Sequence, residues 1–211
     1  HDFWRPLHRK DALVDGHFSV QCYLDALQGA YEDWQRIAGD EAKQPLMRTC
    51  YHVPYGKMAR KAHQRRCQLD GLNEAATEAR FHTDVAPSLR LPAQVGNIYT
   101  GSLYLSLLSL LHAEAAQLAD QRIGLFSYGS GCAAEFFTGR VTAEAASLIS
   151  AMDVAAPLRT RRRLSIPEYE ALRRGDAEQD LRPVDNAQKP VGEGPLYCGI
   201  DPQERRVYAW Q

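Results

Sequence analysis

The sequence lacks an excess of charge of either sign. Its 211 residues include 25 Lys and Arg against 26 Asp and Glu, which gives a net charge of −1. Proteins that bind nucleic acids normally carry a basic excess or a basic stripe, so the composition argues against that function. Hydrophobic residues make up 45% and charged residues 24% of the chain, which is ordinary globular composition. The length suits one domain or at most two small ones.

Long hydrophobic runs are missing as well. The longest, Leu103–Leu111, has nine residues and already includes Ser106 and Ser109. A membrane-spanning helix needs about 20 predominantly apolar residues, so no span is predicted. The segment His1–Pro6 lacks the apolar core and the small-residue cleavage site of a signal peptide. We therefore expect a protein without a membrane partner.

The five cysteines form no Cys-x-x-Cys pair, and they are scattered and odd in number. Reduced thiols in a cytoplasmic protein are the simplest interpretation. We predict no metal site. The scattered cysteines are Cys22, Cys50, Cys67, Cys132 and Cys198.

Hydrophobic periodicity and turn residues predict a mixed α/β fold. Apolar residues recur at helical spacing over about 19–38, with Ser19 as the expected N-cap, and Pro92–Gly101 is expected to be a loop. The remaining elements are predicted as follows: a strand at Leu46–Tyr51, a helix from Met58 to about Leu69, a buried helix at Ser102–Ala119, a hairpin of Arg122–Tyr128 with Cys132–Val141, a helix opened by the capping box Ser165–Glu168 and ending before Gly175, a polar surface segment over 176–194, and a strand pair of Leu196–Ile200 with Arg205–Trp210.

Several polar residues could carry chemistry, but each also has a simpler structural explanation. His52 follows the predicted strand and could be catalytic or merely structural. Lys57 and Lys61, four residues apart, could bind phosphate or form a solvated basic face. Asn97 could bind a carbonyl or cap a turn. Ser130, in the Gly-Ser-Gly turn, could present backbone N–H groups to a ligand or simply close a hairpin.

The residues alone supply no evident nucleophile, because no cysteine stands in a strand-to-helix turn. A buried, inert thiol is the expected state of each cysteine. At this level the function stays open.

Five motifs nevertheless occur in the order and spacing of one known family. Together they resemble the C-terminal half of 3-hydroxy-3-methylglutaryl-CoA synthase and its close relatives, and the resemblance covers nearly the whole chain apart from about 155–195. The motifs are Asp2–Pro6, Val14–Leu24, Tyr51–Met58, Val95–Ser102 and Phe126–Gly131.

The resemblance implies a thiolase-like fold, in which this chain, 1–211, forms the C-terminal half. It implies an acyltransferase that condenses an acetyl group with a β-keto thioester and needs no cofactor beyond its CoA-linked or phosphopantetheine-linked substrates. His52 would polarise the acceptor, and Ser19, Asn97 and Ser130 would contact the substrate. Lys57 and Lys61 would approach the coenzyme or phosphopantetheine arm.

The family's nucleophilic Cys and its general-base Glu match no residue here, since both belong to the N-terminal half. The expected partners are that half, which the apolar helix at Ser102–Ala119 would contact, and acyl carrier proteins or CoA thioesters. A homodimer of the complete enzyme is also expected. The motifs Asp2–Pro6 and Cys22–Leu27 resemble the bacterial polyketide β-branching enzymes more closely than the mevalonate-pathway enzymes. An inactive half-domain that acts as a scaffold is the non-enzymatic alternative.

Overall fold

The structure, a computed structural model, describes residues 3–4, 6–8, 11–129, 131–178, 195–200 and 206–210. The chain divides into a larger unit, His1–Arg159, and a smaller unit, Thr160–Gln211. The elements of the larger unit are, in chain order, β1 (Phe3–Trp4), β2 (Leu13–Val14), α1 (Gly16–Ala38), a 3₁₀ helix (Gly39–Lys43), β3 (Arg48–Tyr51), α2 (Met58–Leu69), α3 (Glu74–Asp84), a second 3₁₀ helix (Ala86–Leu89), α4 (Pro92–Val95), α5 (Gly101–Glu114), β4 (Arg122–Gly129), β5 (Ala133–Arg140), α6 (Ala143–Ala151) and α7 (Ala156–Arg159). Those of the smaller unit are α8 (Ile166–Glu178), β6 (Pro195–Ile200) and β7 (Arg206–Trp210).

A three-stranded sheet in the order β3-β4-β5 organises the larger unit. Strands β3 and β4 run parallel, and β4 and β5 form an antiparallel pair. Successive side chains of a strand point to opposite faces. Tyr51 and Phe126 accordingly belong to a core shared with α1 and α2, whereas Cys50 and Leu125 belong to a second core with α5. The sheet is therefore covered by helices on both faces.

Helix α1 forms because its apolar residues recur on one face. Tyr23, Leu27, Tyr31 and Trp34, spaced by four, four and three residues, are its buried side chains. The carboxylate of Asp15 caps the helix by accepting hydrogen bonds of 3.0 Å from the backbone N–H groups of the second and third helical residues. The prediction that Ser19 caps α1 was wrong, because the helix begins three residues before it.

Other predicted boundaries also need correction. The helix predicted at Ser102–Ala119 is α5, which ends at Glu114, and it is not buried all round because Tyr104 is 62% exposed. Pro92–Val95, predicted as loop, is the short helix α4; proline is compatible with the first turn of a helix. Helix α8 continues through Gly175 to Glu178.

The remaining strand and cap predictions are confirmed. The strand predicted at Leu46–Tyr51 is β3, the predicted hairpin is β4 with β5, and β6 pairs with β7. At the capping box of α8, the backbone N–H of Ser165 donates to Glu168 at 2.7 Å. Helices α3 and α6 were not predicted. Within the segment predicted as a surface excursion, residues 179–194 lie outside the described part of the chain.

Candidate active site

His52 lies immediately after the last residue of β3. Its backbone N–H donates to the carbonyl oxygen of Phe126 in β4 at 2.9 Å, which continues the parallel pairing by one residue. The chain then enters Val53 and Pro54, and proline has no N–H with which to extend the strand. His52 is consequently fixed where the parallel strands end, with only 6% of its surface exposed.

A cavity of about 210 Å³ opens beside His52. The segments around it are β1, α1, the turn after β3, the start of α2, the loop between α4 and α5, and the end of β4. Its lining residues are Phe3, Ser19, Tyr23, His52, Pro54, Met58, Asn97, Tyr99, Thr100, Tyr128 and Gly129. Three residues that the sequence singled out, His52, Ser19 and Asn97, are thus brought together.

The imidazole of His52 sits among aromatic rings. Its centroid lies 6.3 Å from that of Tyr23 and 6.1 Å from that of Tyr128. Its Nδ1 is buried and has no hydrogen-bond partner within the described residues. Burial lowers the pKa of His52, because the charged imidazolium is poorly solvated there. Burial therefore favours the neutral form of the ring.

Asn97 stands in an exposed loop with unusual backbone geometry. Gly96 and Tyr99, on either side, have positive φ angles of 83° and 56°. The side-chain oxygen of Asn97 accepts hydrogen bonds from the N–H of Tyr99 at 2.8 Å and from the hydroxyl of Ser102 at 3.3 Å. Asn97 therefore does cap a turn. Because its oxygen accepts both bonds, it offers a ligand at the cavity its amide NH₂ group.

The other predicted contacts are placed differently. Ser19 is half-buried in the first turn of α1 and lines the cavity. Lys57 is exposed just before α2, and Lys61 is half-buried one turn later; neither lines the cavity. Ser130 lies outside the described residues, although the preceding residue, Gly129, lines the cavity.

Sequence reasoning missed the aromatic wall of this site. Tyr23 lay on the apolar face of α1 and inside the motif Val14–Leu24 without being singled out, yet its hydroxyl donates to the carbonyl oxygen of His52 at 2.8 Å. Tyr128 and Tyr99 stood inside the recognised motifs without being singled out. The helical spacing of the apolar residues indicates which face of α1 is buried. It does not indicate which acceptor a tyrosine hydroxyl on that face will bond.

The described residues hold no group of three or more His, Cys, Asp or Glu side chains placed to bind a metal ion. None of the helices described is both long enough and apolar enough to cross a membrane.

Comparisons with known proteins agree on one family. The family profile for the hydroxymethylglutaryl-coenzyme A synthase C terminal matches residues 1–79 and 68–211. A hydroxymethylglutaryl-CoA synthase of Enterococcus faecalis is 39% identical over 176 residues, which cover 82% of this chain and 44% of that protein. The chain therefore spans about half the length of this curated relative.

Solved structures agree with the sequence comparison. The structure of MvaS in complex with 3-hydroxy-3-methylglutaryl coenzyme A is 40% identical and has a TM-score of 0.80, with all of this chain and 54% of that chain covered. The HMG synthase of the curacin biosynthetic pathway, in complex with its apo donor-ACP, is 32% identical and has a TM-score of 0.84. The match covers 100% of this chain and 55% of that chain. The predicted thiolase-like α/β fold is thereby confirmed.

Proposed function

Because the chain belongs to the hydroxymethylglutaryl-CoA synthase family, we propose that it supplies the acceptor side of an active site that joins an acetyl group to a β-keto thioester. The observation that carries this proposal is the cavity in which His52, Ser19 and Asn97 meet, although they come from three separate segments of the chain.

The resemblance to the family implies the order of the chemical steps. The acetyl group first passes from its donor thioester to a cysteine and releases the donor thiol. The methyl carbon then loses a proton to a glutamate and attacks the ketone carbon of the acceptor. After the new carbon–carbon bond has formed, the alkoxide takes up the proton that the glutamate removed, and water then cleaves the thioester to the cysteine. The cysteine and the glutamate would come from the N-terminal half of the full-length enzyme.

His52 would act on the acceptor. A neutral imidazole carries one N–H, and a proton on the buried Nδ1 would have no acceptor among the described residues. We therefore assign the proton to Nε2, which donates to the ketone oxygen. That hydrogen bond strengthens as the oxygen becomes an alkoxide, and such a preorganised donor accelerates the step that generates the charge.

The remaining predicted residues would bind substrate. The amide NH₂ of Asn97 would donate to an acyl oxygen, and Ser19 and Ser130 would add further contacts. Lys57 and Lys61 lie outside the cavity. They would attract the phosphate of a coenzyme or phosphopantetheine arm whose thioester end reaches the cavity.

CoA thioesters are the first candidate for the two substrates. The support is the greater identity to the Enterococcus protein and to MvaS, 39% and 40%, than to the curacin synthase at 32%. Acyl carrier proteins of a polyketide β-branching pathway are the second candidate. Their support is the TM-score of 0.84 to a synthase bound to its donor-ACP, together with the N-terminal motifs.

The experiment compares both carriers in the full-length enzyme. We expect condensation of acetyl-CoA with acetoacetyl-CoA, at a kcat/KM at least about a hundredfold higher than with the carrier-protein thioesters. The opposite preference would assign the enzyme to β-branching. Absence of condensation with either pair of substrates would overturn the proposal and favour the scaffold alternative.

A further inference from the structure

Tyr23 contacts the backbone of His52 as well as its ring. The Tyr23 hydroxyl donates to the His52 carbonyl oxygen at 2.8 Å, and this hydrogen bond is buried. The N–H of His52 is held by Phe126 at 2.9 Å. Both polar groups of the His52 backbone are therefore bonded, one to the sheet and the other to helix α1.

Tyr23 itself is fixed by packing that does not involve its hydroxyl. Its side chain is only 1% exposed. Its ring meets that of Phe126 edge-on, with centroids 5.3 Å apart and planes at 83°, and lies 5.1 Å from that of Tyr128. Aromatic contacts of this kind stabilise a buried ring in one orientation. The packing of the Tyr23 ring thus fixes the position from which its hydroxyl donates to His52.

We propose that Tyr23 is a positioning residue that holds the imidazole of His52 against the acceptor by anchoring the His52 carbonyl. The hydrogen bond from Tyr23 holds the His52 carbonyl at a point that the sheet no longer fixes, because β3 has ended and the chain turns at Pro54 immediately afterwards. A displacement of about 1 Å in a catalytic group can lower a reaction rate by about a hundredfold, so a single backbone hydrogen bond at this point can affect the rate. The proposal rests on the assignment of His52 to condensation.

Tyr23→Phe tests the proposal, because it removes the hydroxyl and leaves the packed ring. The matched control is Tyr31→Phe on the same face of α1. Tyr31 is also buried and its hydroxyl also donates at 2.8 Å, but to Asp70, and it does not line the cavity. Each variant loses one hydrogen bond donated by a buried tyrosine, so a general loss of stability would affect both variants.

In the full-length enzyme we expect Tyr23→Phe to lower condensation about tenfold and to leave acetylation of the cysteine within about twofold of wild type. Tyr31→Phe should leave both steps within about twofold of wild type. A fall of both steps by the same factor in Tyr23→Phe would indicate a merely structural role and overturn the proposal.

A double-mutant cycle with His52→Ala separates positioning from direct contact with the substrate. If Tyr23 acts through the imidazole, Tyr23→Phe should lower condensation less than about twofold in the His52→Ala background. A tenfold loss in both backgrounds would show that Tyr23 touches the substrate itself, contrary to the proposal. If His52→Ala costs condensation but Tyr23→Phe does not, only the present inference fails. If His52→Ala leaves condensation unchanged, the assignment of His52 fails and this inference fails with it.

Discussion

Arg66 and Asp70 form an ion pair of 2.8 Å, Nη1 to Oδ2, across one turn at the end of α2. The Arg66 side chain is 6% exposed and the Asp70 side chain 21%. The Tyr31 hydroxyl donates to the other carboxylate oxygen at 2.8 Å, and the Arg66 Nε donates to the Tyr51 hydroxyl at 3.2 Å. This network connects α1, α2 and β3, and it satisfies a charge that the core could not otherwise accommodate.

Asp70→Ala should therefore destabilise the protein considerably. Removing the carboxylate leaves the buried guanidinium without its counter-ion, and because Asp70 is partly exposed we expect a loss of about 2–3 kcal/mol. The control is Asp33→Ala, which breaks the exposed pair of Asp33 with Arg36 and should have little effect. Urea denaturation provides the measurement. Equal losses in the two variants would contradict the assignment of a buried charge.

His63 should make stability depend on pH. It is fully buried, and burial, with a further contribution from Arg66, lowers its pKa to about 4. Below pH 6.5 the unfolded chain takes up a proton at this residue that the folded chain does not, so stability falls as pH falls. With an unfolded pKa of about 6.5, we expect a loss of about 2 kcal/mol between pH 7 and pH 5 from this residue.

Urea denaturation at pH 7 and pH 5 measures that contribution. His63→Gln should remove it and thereby flatten the pH dependence. His112→Gln, which replaces an exposed histidine of α5, is the control. An undiminished slope in His63→Gln would show that His63 is protonated in the folded state.

Gly124→Ala should strain the packing of the sheet. A Cβ at this position would lie 2.9 Å from Cζ of Phe136 and 3.0 Å from Cδ1 of Leu46. Both neighbours would have to shift, and we expect a loss of about 1–3 kcal/mol of stability. The control is Gly139→Ala in β5, where the nearest atom lies at an ordinary contact distance of 3.6 Å. Thermal melts measure the difference, and equal melting temperatures of the two variants would contradict this packing.

Lys57→Ala should weaken substrate binding without a large effect on turnover. Lys57 is exposed and lies outside the cavity, so its charge would act on the phosphates of the substrate arm rather than on the reacting atoms. We expect KM to rise about threefold to tenfold at low salt, and the effect to shrink as salt screens the charge. Lys43→Ala removes an exposed lysine that precedes β3 and should leave KM unchanged. A kcat loss that is independent of salt would contradict this role.

The sequence predicted those elements whose apolar residues follow a clear period. Tyr23, Leu27, Tyr31 and Trp34 defined α1 because all four are buried. Helix α3 was missed because only Thr77 and Phe81 of its eleven residues are buried, which leaves too little apolar periodicity to detect. The end of α5 was misplaced because a buried residue, Leu118, continues the apolar pattern through the turns that follow the helix.

The site could be predicted only in part, and for a different reason. His52 and Asn97 were candidates from the residues alone, the family resemblance added Ser19 and the role of each residue, and the structure places all three around one cavity. The hydrogen bond from Tyr23 to the His52 carbonyl joins residues 29 positions apart, and it depends on how α1 packs across the end of β3. Local pattern carries no information about such an arrangement.

The proposed role of His52 is in condensation rather than in acetyl transfer. The most direct measurement uses His52→Ala in the full-length enzyme, with mass spectrometry of the acetylated cysteine followed by single-turnover condensation. His112→Ala, which replaces an exposed histidine of α5, is the control. We predict acetylation within about twofold of wild type and condensation lowered by at least about a hundredfold, because the donor to the developing alkoxide has been removed. An equal loss of both steps would contradict the account and make His52 a structural or general-base residue.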